Sequence, residues 1–188
     1  MNTTNGSEAA RTTWIIDPGH SSVGFSVRHM MTHTLRGEFQ KVSGTVRYDE
    51  DRAEATEIEV AIPADSISTR YAERDVHLLD GDFFDAASHP TLTFKSARAR
   101  RTGPGKLQVT GDLTIRGVTR EVTLALNDIT EGQRDFQGRP RLGTTATATI
   151  RRSDFGMTYN RILETGGIAI SDEVSLTLDV ALVKAPGA

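Results

Sequence analysis

Val174-Ser175-Leu176-Thr177-Leu178-Asp179-Val180-Ala181-Leu182 places an apolar residue at every second position. A period of two puts all five large apolar side chains on one face of an extended strand. The same alternation runs through 107–115, where Leu107, Val109, Leu113 and Ile115 share a phase with Gly111. It returns in 118–126 with Val118, Val122, Leu124 and Leu126. Between these two runs the phase passes from odd to even at Arg116-Gly117. A two-residue hairpin requires that change, because Ile115 and Val118 then lie opposite each other on one face. Upstream, Leu92 and Phe94 share a face, and Thr102-Gly103-Pro104-Gly105 is a turn cluster. A four-residue turn there pairs Arg101 with Lys106 and so sets Phe94 opposite Leu113. Three strands thus share one apolar face by register arithmetic.

Working outward, further strands are read at 21–29 (Val23, Phe25, Val27), 35–49 (Val42, Val46, Tyr48), 55–63 (Ile58, Val60, Ile62) and 141–152 (Ala146, Ala148, Ile150). Trp14–Asp17 reads as the start of the first strand, broken at Pro18-Gly19. Phe39 is out of phase with Val42, which predicts a bulge near Gln40-Lys41. Two segments leave the period. Residues 69–80 predict a helix with Ala72, Val76 and Leu79 on one side and Gly81 as its C-cap. Residues 153–160 predict one helical turn with Ser153 as N-cap. The result is eight long antiparallel strands with one covered face. Long strands favour a closed barrel over a sandwich, because closure tilts and lengthens them.

Composition bounds the function. Lys and Arg number 22 against 25 Asp and Glu, a formal charge of −3, which argues against a nucleic-acid binder. With no Cys, disulfides, thiolate metal sites and Cys nucleophiles are excluded. No apolar run approaches the ~18 residues of a membrane helix, and the polar N-terminus has neither a basic region nor an apolar one, so it does not read as a secretory signal. The expectation is a disordered arm over residues 1–12, one domain over 13–188, and a cytoplasmic location. Apolar-in alternation and 6% aromatics also argue against an outer-membrane barrel.

The inner face is small in places: Gly44, Gly111, Ala146, Ala148 and Ser96 fall in its phase. An eight-stranded barrel is just wide enough either to be filled by side chains or to hold one small ligand. Large neighbours such as Phe25, Phe94 and Leu113 could fill the gaps, so both readings stand on this feature alone. Arg98 and Arg100 continue the inner phase, near the turn. If a cavity exists, its lining is apolar, and its ligand has a hydrocarbon body with a polar end at the mouth.

Several motifs fail on inspection. Gly19-His20-Ser21-Ser22-Val23 has Val where a nucleophile elbow needs Gly. Gly105-Lys106 lacks the other residues of a phosphate loop. His29 and His33 have a helical metal spacing but lie at a strand end and in a loop, so no metal is expected. Asp154-Phe155-Gly156 has the letters of a kinase magnesium motif without its companion loops; Arg151, Arg152 and Asp154 read better as a structural salt bridge and cap. Glu73 and His77 read as an exposed i,i+4 pair.

Taken in order, Asp17-x-x-His20-Ser21, Val23-x-Phe25-x-Val27-x-His29, Gly37-x-Phe39, Thr69, Arg74-Asp75-x-His77-Leu78, Asp82-Phe83-Phe84-Asp85, His89-Pro90, Thr93-Phe94, Gly111-x-Leu113-Thr114-Ile115-x-Gly117-Val118-Thr119 and Arg151-x-x-Asp154-Phe155-Gly156 form a pattern. Over residues 14–184 the chain resembles the YceI-like family of polyisoprenoid-binding proteins. The resemblance implies an all-β, eight-stranded antiparallel lipocalin-like barrel with one short covering helix. It implies a polyprenyl chain or isoprenoid quinone in the lumen, carried or sequestered without catalysis. Family members are often exported.

The chain is therefore expected to be a soluble carrier of an apolar lipid, with no catalytic residues, no metal and no cofactor beyond that lipid. Its expected lining is Val23, Phe25, Val27, Val60, Leu92, Phe94, Gly111, Leu113, Leu124, Ala146, Ala148, Ile150, Leu176 and Leu178. Phe39, Phe155 and Met157 are expected to close one end. His20 and Arg151, each a donor at a strand end, are the head-group candidates. No nucleic-acid partner is expected, and a two-fold homodimer is the default assembly. The rivals are a lipid isomerase or cyclase in the same barrel, which needs a polar residue in mid-lumen, and a filled barrel that binds a protein on its outer face.

Overall fold

The structure is a computed structural model that describes residues 12–164 and 167–186. The arm expected at 1–12 lies outside the described residues apart from Thr12. The described chain forms eight staves, three of them broken, closed into an antiparallel barrel. The first stave is β1 (Thr13–Ile16) and β2 (Ser22–His29), separated by a 3₁₀ turn at Pro18–His20. The second is β3 (His33–Phe39) and β4 (Ser43–Arg47), and the break at 40–42 is the irregularity that the phase of Phe39 and Val42 predicts. The third is β5 (Glu57–Pro63) and the short β6 (Ile67–Ser68). Then come β7 (Thr91–Gly103), β8 (Lys106–Ile115), β9 (Val118–Arg134), β10 (Pro140–Arg151) and β11 (Ile170–Lys184). Closure depends on β11, which pairs with β2 along residues 170–179 and with β1 along 182–184, while β1 also pairs with β4.

The expected registers hold where a hairpin sets them. Ile115 faces Val118 across Arg116-Gly117, whose φ values of 53° and 70° are the type I′ signature. Phe94 faces Leu113. Arg101 faces Leu107 rather than Lys106, because the register shifts near the turn and Gly103 takes the place opposite Lys106.

A second shift in β7, between Ser96 and Arg98, inverts the phase beyond it. Ala99, not Arg98 or Arg100, then points at the core beside Val109. Arg98 and Arg100 are exposed, and Arg98 pairs with Glu121 at 2.9 Å. The Ser96 hydroxyl, read as a space-saving luminal group, accepts a 2.7 Å bond from the Ile58 amide where the β5–β7 ladder ends.

The one α-helix among the described residues, α1 (Ala72–Leu79), ends at Asp80 rather than at Gly81. Its inner face is also not the expected one. Leu78 and Leu79 pack on the core, whereas Val76 and Ala72 are exposed. The expected turn after β10 is a 3₁₀ turn at Arg152–Phe155, without a side-chain cap; the Ser153 hydroxyl bonds Asp172 at 2.8 Å instead. The barrel floor, at the β1 end, is filled by Trp14, Tyr48, Val109 and Leu182, with Ala53 of the Glu50–Ala55 3₁₀ segment also buried. The opposite end carries the β2–β3 hairpin, α1, the β8–β9 hairpin and the described parts, 152–164 and 167–169, of the connection to β11.

Candidate functional site

Inside the barrel is a cavity of about 480 Å³. Of the expected lining, Val23, Phe25, Val27, Phe39, Val60, Leu92, Phe94, Leu113, Leu124, Ala146, Ile150, Met157, Leu176 and Leu178 reach it. They arrive from all eight staves, and the wall is completed by Ile16, Val42, Val46, Ile58, Leu107, Val122 and Leu142 among others. The middle of the barrel is therefore a continuous hydrocarbon surface. Phe25, Phe39 and Phe84 form an aromatic run with centroid separations of 5.9 and 5.7 Å, and it links the wall to the helical cover.

Three expected lining residues do not reach the cavity. Ala148 shares the phase of Ala146 and Ile150 but is absent from the wall. Phe155 is buried behind it and faces the outer groove between β9 and β10. Gly111 is small for another reason: a Cβ on it would meet the backbone of Lys95 and Ser96. Gly44 behaves alike, with the Glu59 carbonyl oxygen 2.4 Å from a Cβ position. Both glycines let neighbouring strands approach; neither widens the lumen.

The head-group candidates also lie elsewhere. The His20 side chain is 72% exposed at the break in the first stave and contacts Asp17 at 3.0 Å. Asp17 in turn pairs with Arg141, and Arg141 with Asp135 at 3.1 Å. This network clamps the flank towards the floor and does not touch the cavity. Arg151 is exposed, and the next residue, Arg152, points inward instead.

Arg152 is 6% exposed and has no hydrogen-bonded carboxylate partner among the described residues. Its guanidinium donates to the carbonyls of Met157 (2.7 Å), Tyr159 (2.8 Å), Ser171 (3.0 Å) and Ile170 (3.3 Å). Burial pushes its pKa down, and the charge of Asp172 partly offsets this. The salt bridge expected among Arg151, Arg152 and Asp154 is replaced by this carbonyl clamp. Asn160 adds a second stitch: its Oδ1 accepts from the Ala169 and Ile170 amides at 3.0 Å, and its side-chain amide donates to the Ile170 carbonyl at 2.7 Å. Together they fold the 156–161 segment across the mouth.

The remaining arginine and histidine lining groups gather at this end, whereas Ser21, Tyr48, Thr56 and Thr144 line the cavity nearer the floor. Arg74 on α1 donates to the Thr69 hydroxyl (2.7 Å) and carbonyl (2.8 Å), and Asp75 accepts from the Thr69 amide at 2.8 Å. His77 bonds Asp82 at 3.0 Å and packs edge-on against Phe83 and Tyr159, with centroids 5.1 and 5.0 Å away. Tyr159 accepts a 2.9 Å bond from Arg161 through its hydroxyl. His29 lies 5.2 Å from His33, ring to ring, and its buried Nδ1 has no partner among the described residues. Burial, followed by the charges of His33 and Arg74, holds its pKa below the ordinary value. The mouth thus offers hydrogen-bond donors above an apolar shaft.

Arg74, His77, Arg152, Tyr159 and Arg161 were not anticipated as lining. A signal existed for one of them: Arg152 continues the even phase of Ala146 and Ile150 by one step. The others lie in segments without strand periodicity.

The sequence pattern of the YceI-like domain matches residues 14–182. A UPF0312 protein of Vibrio vulnificus is 36% identical over 146 residues, 77% of each chain. One from Pseudomonas aeruginosa is 36% identical over 138 residues, 73% of this chain and 71% of its own. Among solved structures, Burkholderia cenocepacia BcnA superposes with a TM-score of 0.76 at 25% identity, covering 88% of this chain and 98% of its own. The Campylobacter jejuni YceI protein gives 0.73 at 27%, covering 84% and 90%. A polyisoprenoid binding domain from Saccharophagus degradans shares the fold, with a TM-score of 0.65 at 14% identity over 93% of this chain and 99% of its own.

Proposed function

We propose, for a chain that belongs to the YceI-like family, that the barrel is a binding protein which encloses the tail of a long apolar lipid of the polyisoprenoid or isoprenoid-quinone class. The observation that carries this reading is the largely hydrocarbon wall of the 480 Å³ cavity, with its arginine and histidine side chains confined to one end. The binding property named for the Saccharophagus degradans domain supports it through shared fold. So does the family membership.

The energetics suit such a cargo. Each buried CH₂ contributes ~0.8 kcal/mol, so a five-carbon unit contributes at most about 4 kcal/mol. A few units offset the cost of association without a single polar contact. Tail burial then sets affinity, and the donors at the mouth set head-group choice. Carrying or sequestering, rather than converting, the lipid fits a wall whose mouth arginines and Asn160 are already bonded to carbonyls and hydroxyls.

Native mass spectrometry of the protein as purified tests this. A bound species whose mass falls on an isoprenoid ladder, released by solvent extraction, is the expected result. Protein that is empty as purified and takes up no added polyprenol would sink the reading.

A further inference from the structure

The rim of the mouth exposes large apolar side chains to solvent. At the tip of the β2–β3 hairpin, Met30 is 46% exposed and Met31 61%. Beside it on the rim, the Ile162–Ile168 bridge presents two more, at 86% and 46%. The two groups adjoin. The Met30 amide bonds the Ala169 carbonyl at 2.6 Å, and the Met31 Cγ lies 3.9 Å from the Cβ position of Gly167.

The hairpin tip is also in the wrong conformation for its residues. Met30 and Met31 have φ values of 51° and 57°, and the Thr32 amide closes the turn on the His29 carbonyl at 3.2 Å. Two left-handed central residues are the type I′ signature, for which Asn-Gly is the favoured pair. A bulky side chain there is strained, and a thioether stem there is exposed to water. Neither choice stabilises the folded chain in solution, so the tip breaks a local rule without a structural return.

Cations flank the patch. Arg28 holds the hairpin by donating to the Met31 carbonyl at 3.0 Å and stays exposed. Arg161 precedes Ile162 and lines the mouth. Glu164 is the acidic side chain within the segment. Apolar side chains on two adjoining connections, with arginines behind them, match a surface of acyl chains beneath anionic head groups.

We propose that the rim built from Met30, Met31, Ile162 and Ile168, backed by Arg28 and Arg161, docks the open end of the barrel on a lipid bilayer that carries anionic head groups. The proposal rests on the lipid-binding reading of the cavity, since docking there aligns the shaft with the membrane from which a tail would be drawn. Docking exchanges the solvent exposure of four large side chains for acyl contacts and places two guanidinium groups at head-group depth.

The test pairs vesicle flotation with a titration that needs no membrane. The wild-type protein should float with vesicles of phosphatidylcholine and phosphatidylglycerol, less so as salt is raised, and stay in solution with phosphatidylcholine alone. The double variant Met30→Asn/Met31→Gly supplies the residues that the turn prefers, so its melting temperature should rise. Its flotation should weaken by at least about tenfold, because each buried methionine side chain is worth more than that factor. Its affinity for farnesol in solution should be unchanged. Wild-type protein that stays in solution with the anionic vesicles, or a double variant that floats as well as wild type, overturns the docking rim. A wild-type dimer that the double variant turns into monomers, with flotation unaltered, assigns the rim to a second copy and overturns it too. Flotation without farnesol uptake leaves the rim standing and removes the cavity reading; farnesol uptake without flotation does the reverse.

Discussion

Gly111 lies against the bulged backbone of β7: a Cβ on it would sit 2.3 Å from the Lys95 carbonyl oxygen and 2.7 Å from the Ser96 Cα. The register shift between Ser96 and Arg98 swings that backbone towards β8, and glycine is what tolerates the approach. Its place in the luminal phase is incidental to the cavity. Gly111→Ala should therefore cost about 1–3 kcal/mol of stability, the usual range for overpacking, without altering lipid uptake by the folded fraction. Urea unfolding of the variant, with farnesol titration alongside, reads both. A variant as stable as wild type would mean that the bulge relaxes freely.

Ala146 is the small residue that does border the cavity. Ala146→Leu should keep the delipidated protein within about 1 kcal/mol of wild type, because the added methyl groups enter existing space. Uptake of a polyprenyl analogue should fall by about tenfold or more, roughly 1.4 kcal/mol. Fluorescence titration and thermal melts of the same samples separate the two effects. Weakened stability with unchanged uptake would favour a barrel that is full.

Arg152 satisfies four carbonyl oxygens with one side chain. Arg152→Met keeps the bulk and removes every donor, and each acceptor left dry costs about 1–3 kcal/mol. The expected outcome is a lower melting temperature and faster protease cleavage in the segment over the mouth. Arg152→Lys should recover only part of this, since an ammonium does not reproduce the planar fork. Equal cleavage rates in all three proteins would remove Arg152 as the anchor.

His29 makes the fold acid-sensitive in a defined window. Its pKa is held below 6.5 by burial and by the charges of His33 and Arg74. Below 6.5 the unfolded chain takes up a proton that the folded one resists, so this contribution is full above that pH and is lost as pH falls towards the depressed value. His29→Gln should flatten the slope of unfolding free energy as pH falls below 6.5. A slope unchanged by the substitution would place its origin elsewhere.

A second, more acidic window belongs to Asp135. Burial raises its pKa, but bonds from the Arg139 and Gln137 amides and from the Arg139 and Arg141 side chains lower it to about 2. A depressed carboxylate stabilises the fold above its unfolded value of 3.8 and loses that contribution as pH falls through about 2. Asp135→Asn should remove this part of the acid transition while leaving the His29 window intact. The check is circular dichroism melts from pH 2 to 5, a range set by those two values. An acid transition identical in wild type and variant would exclude Asp135 from it.

What was legible in the chain follows from these particulars. Alternation plus a tight turn sets Ile115 opposite Val118 and Phe94 opposite Leu113, because a period of two leaves no freedom once the turn length is known. Alternation does not announce a bulge inside a strand. Beyond Ser96 a strict period of two runs one residue out of step with the strand and would turn Arg98 and Arg100 inward, whereas both face water. The face of α1 was hidden in part: Leu79 packs on the core as its spacing predicts, but Ala72 and Val76 are exposed, and the cavity receives Arg74, His77 and Leu78. The mouth was hardest to foresee, since 156–164 and 167–169 carry no period and their path comes from two polar residues, Arg152 and Asn160, bonding backbone up to 19 residues away.

Trp14, Tyr48 and Leu182 close the floor of the barrel. A shaft stopped at one end is a sheath, and whatever slides into it tail first withdraws head first by the same route. For a lipid held as proposed, passage from one face to the other is closed. If such a lipid is handed on, donor and acceptor would have to take turns at a single opening, and delivery would be a sequence of visits, timed by how quickly the loaded sheath lets go of one surface before it meets the next.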